Sequence, residues 1–299
     1  MSTAITRVSA LINPAARHGL GVRAAATALA ALRDRGVDVT ELVGRDPDEA
    51  LELARTAAAS DIDALVVVGG DGSVRLALEA MGDTGVPLGL IPAGTGNDHA
   101  RALGIPTDDP AAAAAIIAAG RRRPFDIAVI TPADGPSAVF GTVAATGLDA
   151  LVTERANNMS WPKGQLRYPL AAVAELARMK PFHYRITVDD NTFERDLILA
   201  AVGNTPSYGG GMKITPSAVI DDGLLDLTLI SHGPRLKMFG LFPTMYSGKH
   251  IDHKEVEQFR GSRIVLDCVP TAPIYADGDR IGRLPATIEV RPGAVTFLA

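Results

Sequence analysis

Along the first third of the chain, apolar and polar positions fall into short alternating blocks. "VSALIN" (8–13), "VDVTEL" (37–42), "ALVVVGG" (64–70) and "VPLGLIPAG" (86–94) are apolar runs of strand length. Between them, apolar side chains return at helical spacing near residues 21–34, 47–58 and 73–81. Strands alternating with amphipathic helices predict a parallel sheet wrapped by helices, with ligands gathered at the carboxyl ends of the strands. The loops expected at that edge are "NPAARHGLG", "GGDG" and "PAGTGND".

Past the alanine-rich helix "DPAAAAAIIAAG" and the basic "RRRPFDIAVI" the pattern changes. "SAVFGTVAATG", "HYRITVDD", "TFERDLILAAVGN", "LLDLTLI", "SRIVLDC" and "ATIEVRPGAVTFLA" are strand-like, with helices predicted only at 166–179 and 235–246. Such a series suggests an antiparallel sandwich or barrel. The expected organisation is an α/β domain over residues 1–125 and a β-rich, sandwich-like domain over residues 126–286.

Composition narrows the partners. A chain of 299 residues accommodates two domains, and 47% hydrophobic content supplies their cores. A net charge of -5 argues against nucleic acid, whose binding needs a cationic surface. The single Cys268 cannot form an internal disulfide and reads as a packed small hydrophobe, which suits a reducing cytoplasm. No uncharged stretch approaches the roughly 20 apolar residues of a membrane span, and the first residues read as a strand and a loop, not as a signal. The expectation is a cytoplasmic protein, soluble or peripheral to a membrane.

The glycine turns carry the candidate chemistry. In "LVVVGGDGSVRLALEAM" a buried-type strand ends in Gly69, Gly70, Asp71 and Gly72 and turns into a helix, with no lysine where a P-loop would place one. The first N–H groups of such a helix lack internal partners and its dipole favours an anion, while glycine lets a ligand approach the backbone. A plain tight turn explains the same residues. "IPAGTGNDHARAL" repeats the logic: Thr95 reaches a phosphate or ties the turn, and Asn97 or Asp98 caps the helix. Near the other end, "YADGDRIG" presents Asp277 and Asp279 on a turn that Asp-Gly also favours in ordinary hairpins. "VIDDGLLDL" gathers Asp221, Asp222 and Asp226, hard ligands for Mg²⁺ or members of an Asx-type turn.

"NPAARHGLG", "VVVGGDGSV" and "GLIPAGTGNDHARALGIP", followed by "GLDA", "AVGNTPSYGGGMKITPSAVIDDGLLDLTLI", "YSGKHI" and "YADGDRIGRLP", resemble the diacylglycerol kinase catalytic-domain family, which includes bacterial soluble lipid kinases, sphingosine kinases and ceramide kinases. The resemblance covers nearly the whole chain. "GGDG" is shared with NAD kinases and phosphofructokinases, whereas "GTGND" joined to "DDGLLD" and a late "DG" is specific. It implies an α/β nucleotide-binding domain of NAD kinase/phosphofructokinase-like fold, a sandwich-like lipid domain, and a strand at about 287–299 that returns to the first. It also implies ATP held by Asn13, Pro14, Ala15, Ala16, Arg17, Gly69, Gly70, Asp71, Gly72, Ser73, Gly94 and Thr95. Asp71 would help position the magnesium of Mg-ATP, and Asp277 would act as general base with Asp279 beside it. A structural Mg²⁺ would sit on Asp222 with the backbone oxygens of Val219 and Leu224.

The chain departs from the family in four places. Ala15-Ala16-Arg17 replaces a hydroxyl and a glycine of "NPxSG"; Ser73 replaces the commoner threonine; no threonine stands near Gly44; and Asp279 replaces a glutamate. The implied activity is transfer of the γ-phosphate of ATP to the hydroxyl of diacylglycerol or a related lipid at a membrane surface, giving phosphatidic acid or a lipid phosphate. The alternatives are an NAD kinase-like small-molecule kinase, from which "GTGND" points away, and a catalytically silent nucleotide sensor. A homodimer is compatible with either. Residues 232–254, rich in Met, Phe, Leu and Tyr beside Arg235, Lys237, Lys249 and Lys254, suit an anionic interface or a helix packed on the sandwich. Trp161 and its neighbours line a substrate mouth or an ordinary loop. The six histidines show no metal spacing and read as surface residues.

Overall fold

The structure is a computed structural model and describes residues 4–13, 20–82, 84–159, 161, 167–178 and 180–299. The expected nucleotide contacts Pro14, Ala15, Ala16 and Arg17 lie outside the described residues. The chain forms two compact units, Met1–Ile127 with Ile220–Asp222 and Arg291–Ala299, and Ala128–Val219 with Gly223–Val290.

In the first unit the elements run β1 (Arg7–Ile12), α1 (Leu20–Arg33), β2 (Asp38–Leu42), α2 (Pro47–Ala58), β3 (Ala64–Gly69), α3 (Asp71–Met81), β4 (Leu88–Pro92), α4 (Asp98–Leu103), α5 (Pro110–Ala118) and the start of β5 (Arg122–Pro132). The first four strands pair in parallel in the order β2-β1-β3-β4. Every residue of β3 and β4 is buried, because helices cover both faces: α1 packs on α5, and α2 on α3. That is why these strands read as unbroken apolar runs. Two helices start on designed ends. Asp46 accepts from the Glu49 N–H ahead of Pro47, and Asp109 accepts from the Ala112 N–H ahead of Pro110, both at 2.9 Å. Residues 291–299 close this unit: Phe297 lies opposite Leu88 and meets Phe125 edge to face, ring centroids 5.0 Å apart.

The second unit continues with the end of β5, then β6 (Ala138–Phe140), β7 (Val143–Gly147), α6 (Leu148–Asn158), α7 (Arg167–Arg178), β8 (Phe182–Val188), β9 (Asn191–Gly203), β10 (Leu225–Ser231), α8 (Arg235–Ser247), β11 (Val256–Gly261), β12 (Arg263–Val269), β13 (Pro273–Ala276), β14 (Asp279–Arg283) and the start of β15 (Ala286–Leu298). The pairings here are antiparallel. The long β9 gives its first half to β8 and its second half to β7 and β10, so it serves two parts of the sandwich. Leu197, Ala200 and Val202 of β9 face a core shared with Phe140, Tyr184, Leu227 and Ile264. Ile198, Leu199 and Ala201 face a second core roofed by α6, α7 and α8.

The α/β and sandwich-like pair is the expected fold class. Helix α6 and β11 were not anticipated, nor were β13 and β14 among the expected strands. Helix α6 mixes apolar residues with Asp149, Glu154 and Arg155 with little contrast between its faces, and β11 alternates weakly around Gln258 and Arg260. Two histidines read as surface residues are buried. His99 lies in α4, and His250 donates from Nε2 to the Ile214 carbonyl at 3.1 Å, with burial lowering its pKa. Cys268 is buried as expected, and burial pushes its thiol up to about 11. No helix among the described residues is long and apolar enough to cross a membrane.

Candidate active site

Strand order sets the place. In β2-β1-β3-β4 the sheet grows outward in both directions from the β1–β3 pair, and at that reversal an open parallel sheet leaves a crevice beyond its carboxyl ends. Asn13 after β1 meets the turns after β3 and β4 there. The Asn13 N–H donates to the Val68 carbonyl at 3.1 Å, Asn13 Nδ2 donates to Ser73 Oγ at 3.2 Å, and the Ala93 N–H donates to the Gly69 carbonyl at 2.8 Å. A Cβ on Gly70 would stand 2.9 Å from Gly94 Cα, so the two glycine turns touch backbone to backbone. At Gly72 a Cβ would meet nothing within 4 Å, leaving that turn open outward.

Asn97 occupies the N-cap position of α4 but makes no capping bond. In a left-handed conformation (φ 55°), its side chain closes the turn instead, accepting from the Gly94 N–H at 2.8 Å and donating to the Gly94 carbonyl at 2.9 Å. Thr95 is exposed on that turn, and Asp98 begins the helix buried.

Asp71 opens α3, and its Oδ1 accepts from the His99 N–H at 3.1 Å and from His99 Nδ1 at 3.0 Å. Burial by itself would raise the Asp71 carboxyl. The bonds and charge of His99, with the Asp98 amide, outweigh it and hold the group below the usual carboxylate range. A carboxylate accepts only, so Nδ1 of His99 carries the proton. The ring is fully buried, 6.2 Å from that of Phe125. Sequence reading missed His99 because its partner lies 28 residues away on another strand-to-helix turn.

Asp277 sits between β13 and β14 with φ 49°, followed by Gly278 at φ 90°. Two consecutive positive φ values make the tight Asp-Gly hairpin that the dipeptide favours. Its Oδ2 accepts from the Gly141 N–H and its Oδ1 from the Thr142 N–H, each at 2.9 Å, and the Thr142 hydroxyl also donates to Oδ1. Both carboxylate oxygens are therefore fixed. The cradle has its own support, which sequence reading did not assign: the Asn204 N–H donates to the Thr142 carbonyl at 2.8 Å and Asn204 Nδ2 to the Gly141 carbonyl at 3.1 Å. Asp279 begins β14, exposed.

The acidic turn does not act as one cluster. Asp221 and Asp222 are exposed, whereas Asp226 is buried in β10 and accepts from Arg260 Nε at 3.2 Å. Asp222 belongs to the first unit, Val219 and Leu224 to the second. Among the described residues no three His, Cys, Asp or Glu side chains converge, so a cation here would draw on a single carboxylate with carbonyls and water. Two further acids, the buried Asp126 and the half-buried Asp149, had no assigned role. Asp126 accepts from the Gly293 N–H at 2.6 Å. Asp149 accepts from the Tyr208 hydroxyl, and burial raises its carboxyl.

Residues 7–130 match the family described as Diacylglycerol kinase catalytic domain, and residues 141–299 the YegS C-terminal NAD kinase beta sandwich-like domain. A diacylglycerol kinase of Mycobacterium tuberculosis (strain ATCC 25618 / H37Rv) is 47% identical over 295 residues, 98% of this chain and 95% of that one. One from Bacillus subtilis (strain 168) is 27% identical over 282 residues, covering 93% and 91%. The crystal structure of a diacylglycerol kinase from Bacillus anthracis str. Sterne has the same fold, with a TM-score of 0.75 at 21% identity over 99% of this chain and 97% of that one. The chain therefore belongs to the diacylglycerol kinase catalytic-domain family and is a lipid kinase.

Proposed function

We propose that this lipid kinase transfers the γ-phosphate of ATP to the primary hydroxyl of diacylglycerol or a related lipid, giving phosphatidic acid or the matching lipid phosphate. The observations that carry the reading are, in the first unit, side-chain-free glycine turns beside a firmly held Asp71 and, in the second, a carboxylate, Asp277, fixed at both oxygens.

Asn13, Gly69, Gly70, Gly72, Ser73, Gly94 and Thr95 would hold the nucleotide through backbone donors and hydroxyls, with Pro14, Ala15, Ala16 and Arg17 completing the loop. The open side of Gly72 and the absence of a lysine on the turn fit a phosphate accompanied by a divalent cation near Asp71. When bound, ATP supplies the phosphoryl group and Mg²⁺ neutralises the charge that develops on it. A second Mg²⁺ on Asp222 and the carbonyls of Val219 and Leu224 would order the turn ahead of β10. Asp277 would take the proton from the lipid hydroxyl. The amides of Gly141 and Thr142 and the Thr142 hydroxyl fix the plane of the carboxylate for that task. Asp279, two residues on, would share in proton handling. A substrate that lives in a bilayer makes the enzyme a peripheral visitor to membranes.

Labelled ATP, Mg²⁺ and mixed micelles of diacylglycerol or sphingosine, with soluble NAD as a third acceptor, test the reading. Label in diacylglycerol or a related lipid is expected. Transfer only to NAD, or nucleotide binding without transfer to any acceptor, overturns it.

A further inference from the structure

Helix α8 is apolar on two opposite faces. Met238, Leu241 and Met245 enter the core beneath it. On the other side Leu236 (86% exposed), Phe239 (36%) and Tyr246 (61%), with exposed Pro243 between them, follow at spacings of three, four and three residues, a single stripe about 15 Å long in solvent. Helix α7 packs against α8 and bears a second stripe, Leu170 (47%), Val173 (52%) and Ala177. Exposed apolar residues are ordinary singly, but two adjacent stripes form a patch of the kind that marks an interaction surface.

Charge identifies the occupant. From His232 to Ile251 there is no acidic residue, while Arg235, Lys237 and Lys249 flank the stripe. Of the nearby acids, Glu255 accepts from Lys237 at 2.6 Å, Glu175 of α7 pairs with Arg155, and Asp252 follows Lys249 by three residues. Arg178 and Lys180 add cations at the end of α7. An apolar stripe bordered by more cations than acids suits an anionic lipid surface, with the side chains in the acyl boundary and the cations among the headgroups. The patch is also tied to the Asp277 hairpin. Neighbouring residues of α6 reach both ways, Glu154 to Arg280 of β14 at 3.2 Å and Arg155 to Glu175 of α7.

We infer that the exposed faces of α7 and α8 form the docking surface by which the protein rests on an anionic bilayer. The inference rests on the lipid-substrate reading for its biological purpose, and its test is independent of catalysis. In co-sedimentation with phosphatidylcholine vesicles containing about 30 mol% phosphatidylglycerol, the Leu236→Ser/Tyr246→Ser variant should bind about tenfold more weakly than wild type. Arg235→Glu/Lys249→Glu should lose about tenfold on these vesicles and nothing on pure phosphatidylcholine. Both variants should melt like wild type and phosphorylate a monomeric short-chain diacylglycerol at the wild-type rate. Unchanged vesicle binding by the serine variant overturns the inference. So does a wild-type dimer that this variant turns monomeric with no loss of vesicle binding, which would make the face a seat for a second copy. A wild type that binds vesicles yet phosphorylates no lipid would overturn the substrate reading alone.

Discussion

Two aspartates of the second unit sit in nearly the same local device. Asp189, at the turn between β8 and β9, has φ 50° and accepts from the Ser262 N–H at 3.0 Å, the Ser262 hydroxyl at 2.9 Å and the Arg263 N–H at 3.0 Å. Asp277 has φ 49° and accepts from the successive amides of Gly141 and Thr142 and from the Thr142 hydroxyl. The difference lies in which oxygens are used. Asp189 takes all three bonds on Oδ1 and stands exposed, whereas Asp277 divides them between Oδ1 and Oδ2 and is half-buried. A carboxylate held at one oxygen can swing about that contact; one held at both has its plane fixed, as a proton acceptor needs. A cradle of amides therefore does not by itself identify a base, and the two-point grip is the discriminating feature.

Substitution should separate the two most sharply at the charge itself. Asp277→Asn is expected to lower kcat by about 10² to 10⁴-fold while ATP affinity stays within about twofold, and Asp189→Asn to leave kcat unchanged. Equal losses would erase the distinction. A third aspartate extends the comparison, because Asp71 is held by an imidazole instead of by a cradle. His99→Phe keeps the buried ring and removes Nδ1, and should weaken Mg-ATP binding by calorimetry about tenfold. His99→Asn, whose amide nitrogen reaches nearly the same point as Nδ1, should restore most of it.

At the hydroxyl donors the contrast should narrow. Thr142→Val is expected to cost roughly threefold to tenfold in kcat, and Ser262→Ala nothing. The smallest effect is on stability. The Arg263 amide first, then the Ser262 hydroxyl and amide, hold the Asp189 carboxyl below its ordinary value. A depressed carboxyl stabilises above the unfolded pKa of about 4, and that stability drains as pH falls through the lower folded value. Asp189→Asn should thus cost roughly 2 °C of Tm at pH 7 and nothing near pH 2, as calorimetric scans across that range would show.

Legibility in the sequence followed the range of the interactions. Leu65 to Val68, buried on both sides, announced a parallel strand because burial on two faces demands an unbroken apolar run. The Asp-Gly hairpin announced itself through the positive φ that its two residues must adopt. His99 stayed hidden because its meaning depends on Asp71 arriving at the next loop of the sheet, and nothing in "NDHAR" distinguishes a buried partner from a surface histidine. Asn204 was visible within a family-like segment, yet its task of holding the 141–142 backbone arises only when β7 pairs with β9. The exposed stripe of α8 blended with the buried one, since a helix apolar on two sides carries no periodic signal that says which side faces water.

The route of β15 has a consequence for how the protein is made. The first unit is largely encoded early, but Phe297 and Leu298, both fully buried, come from the last strand. On the ribosome, residues 4–127 emerge long before the strand that completes their sheet beside β4. The earlier-translated unit must wait, partly open, until nearly all of the second unit has been synthesised, so its consolidation trails the synthesis of the unit encoded after it.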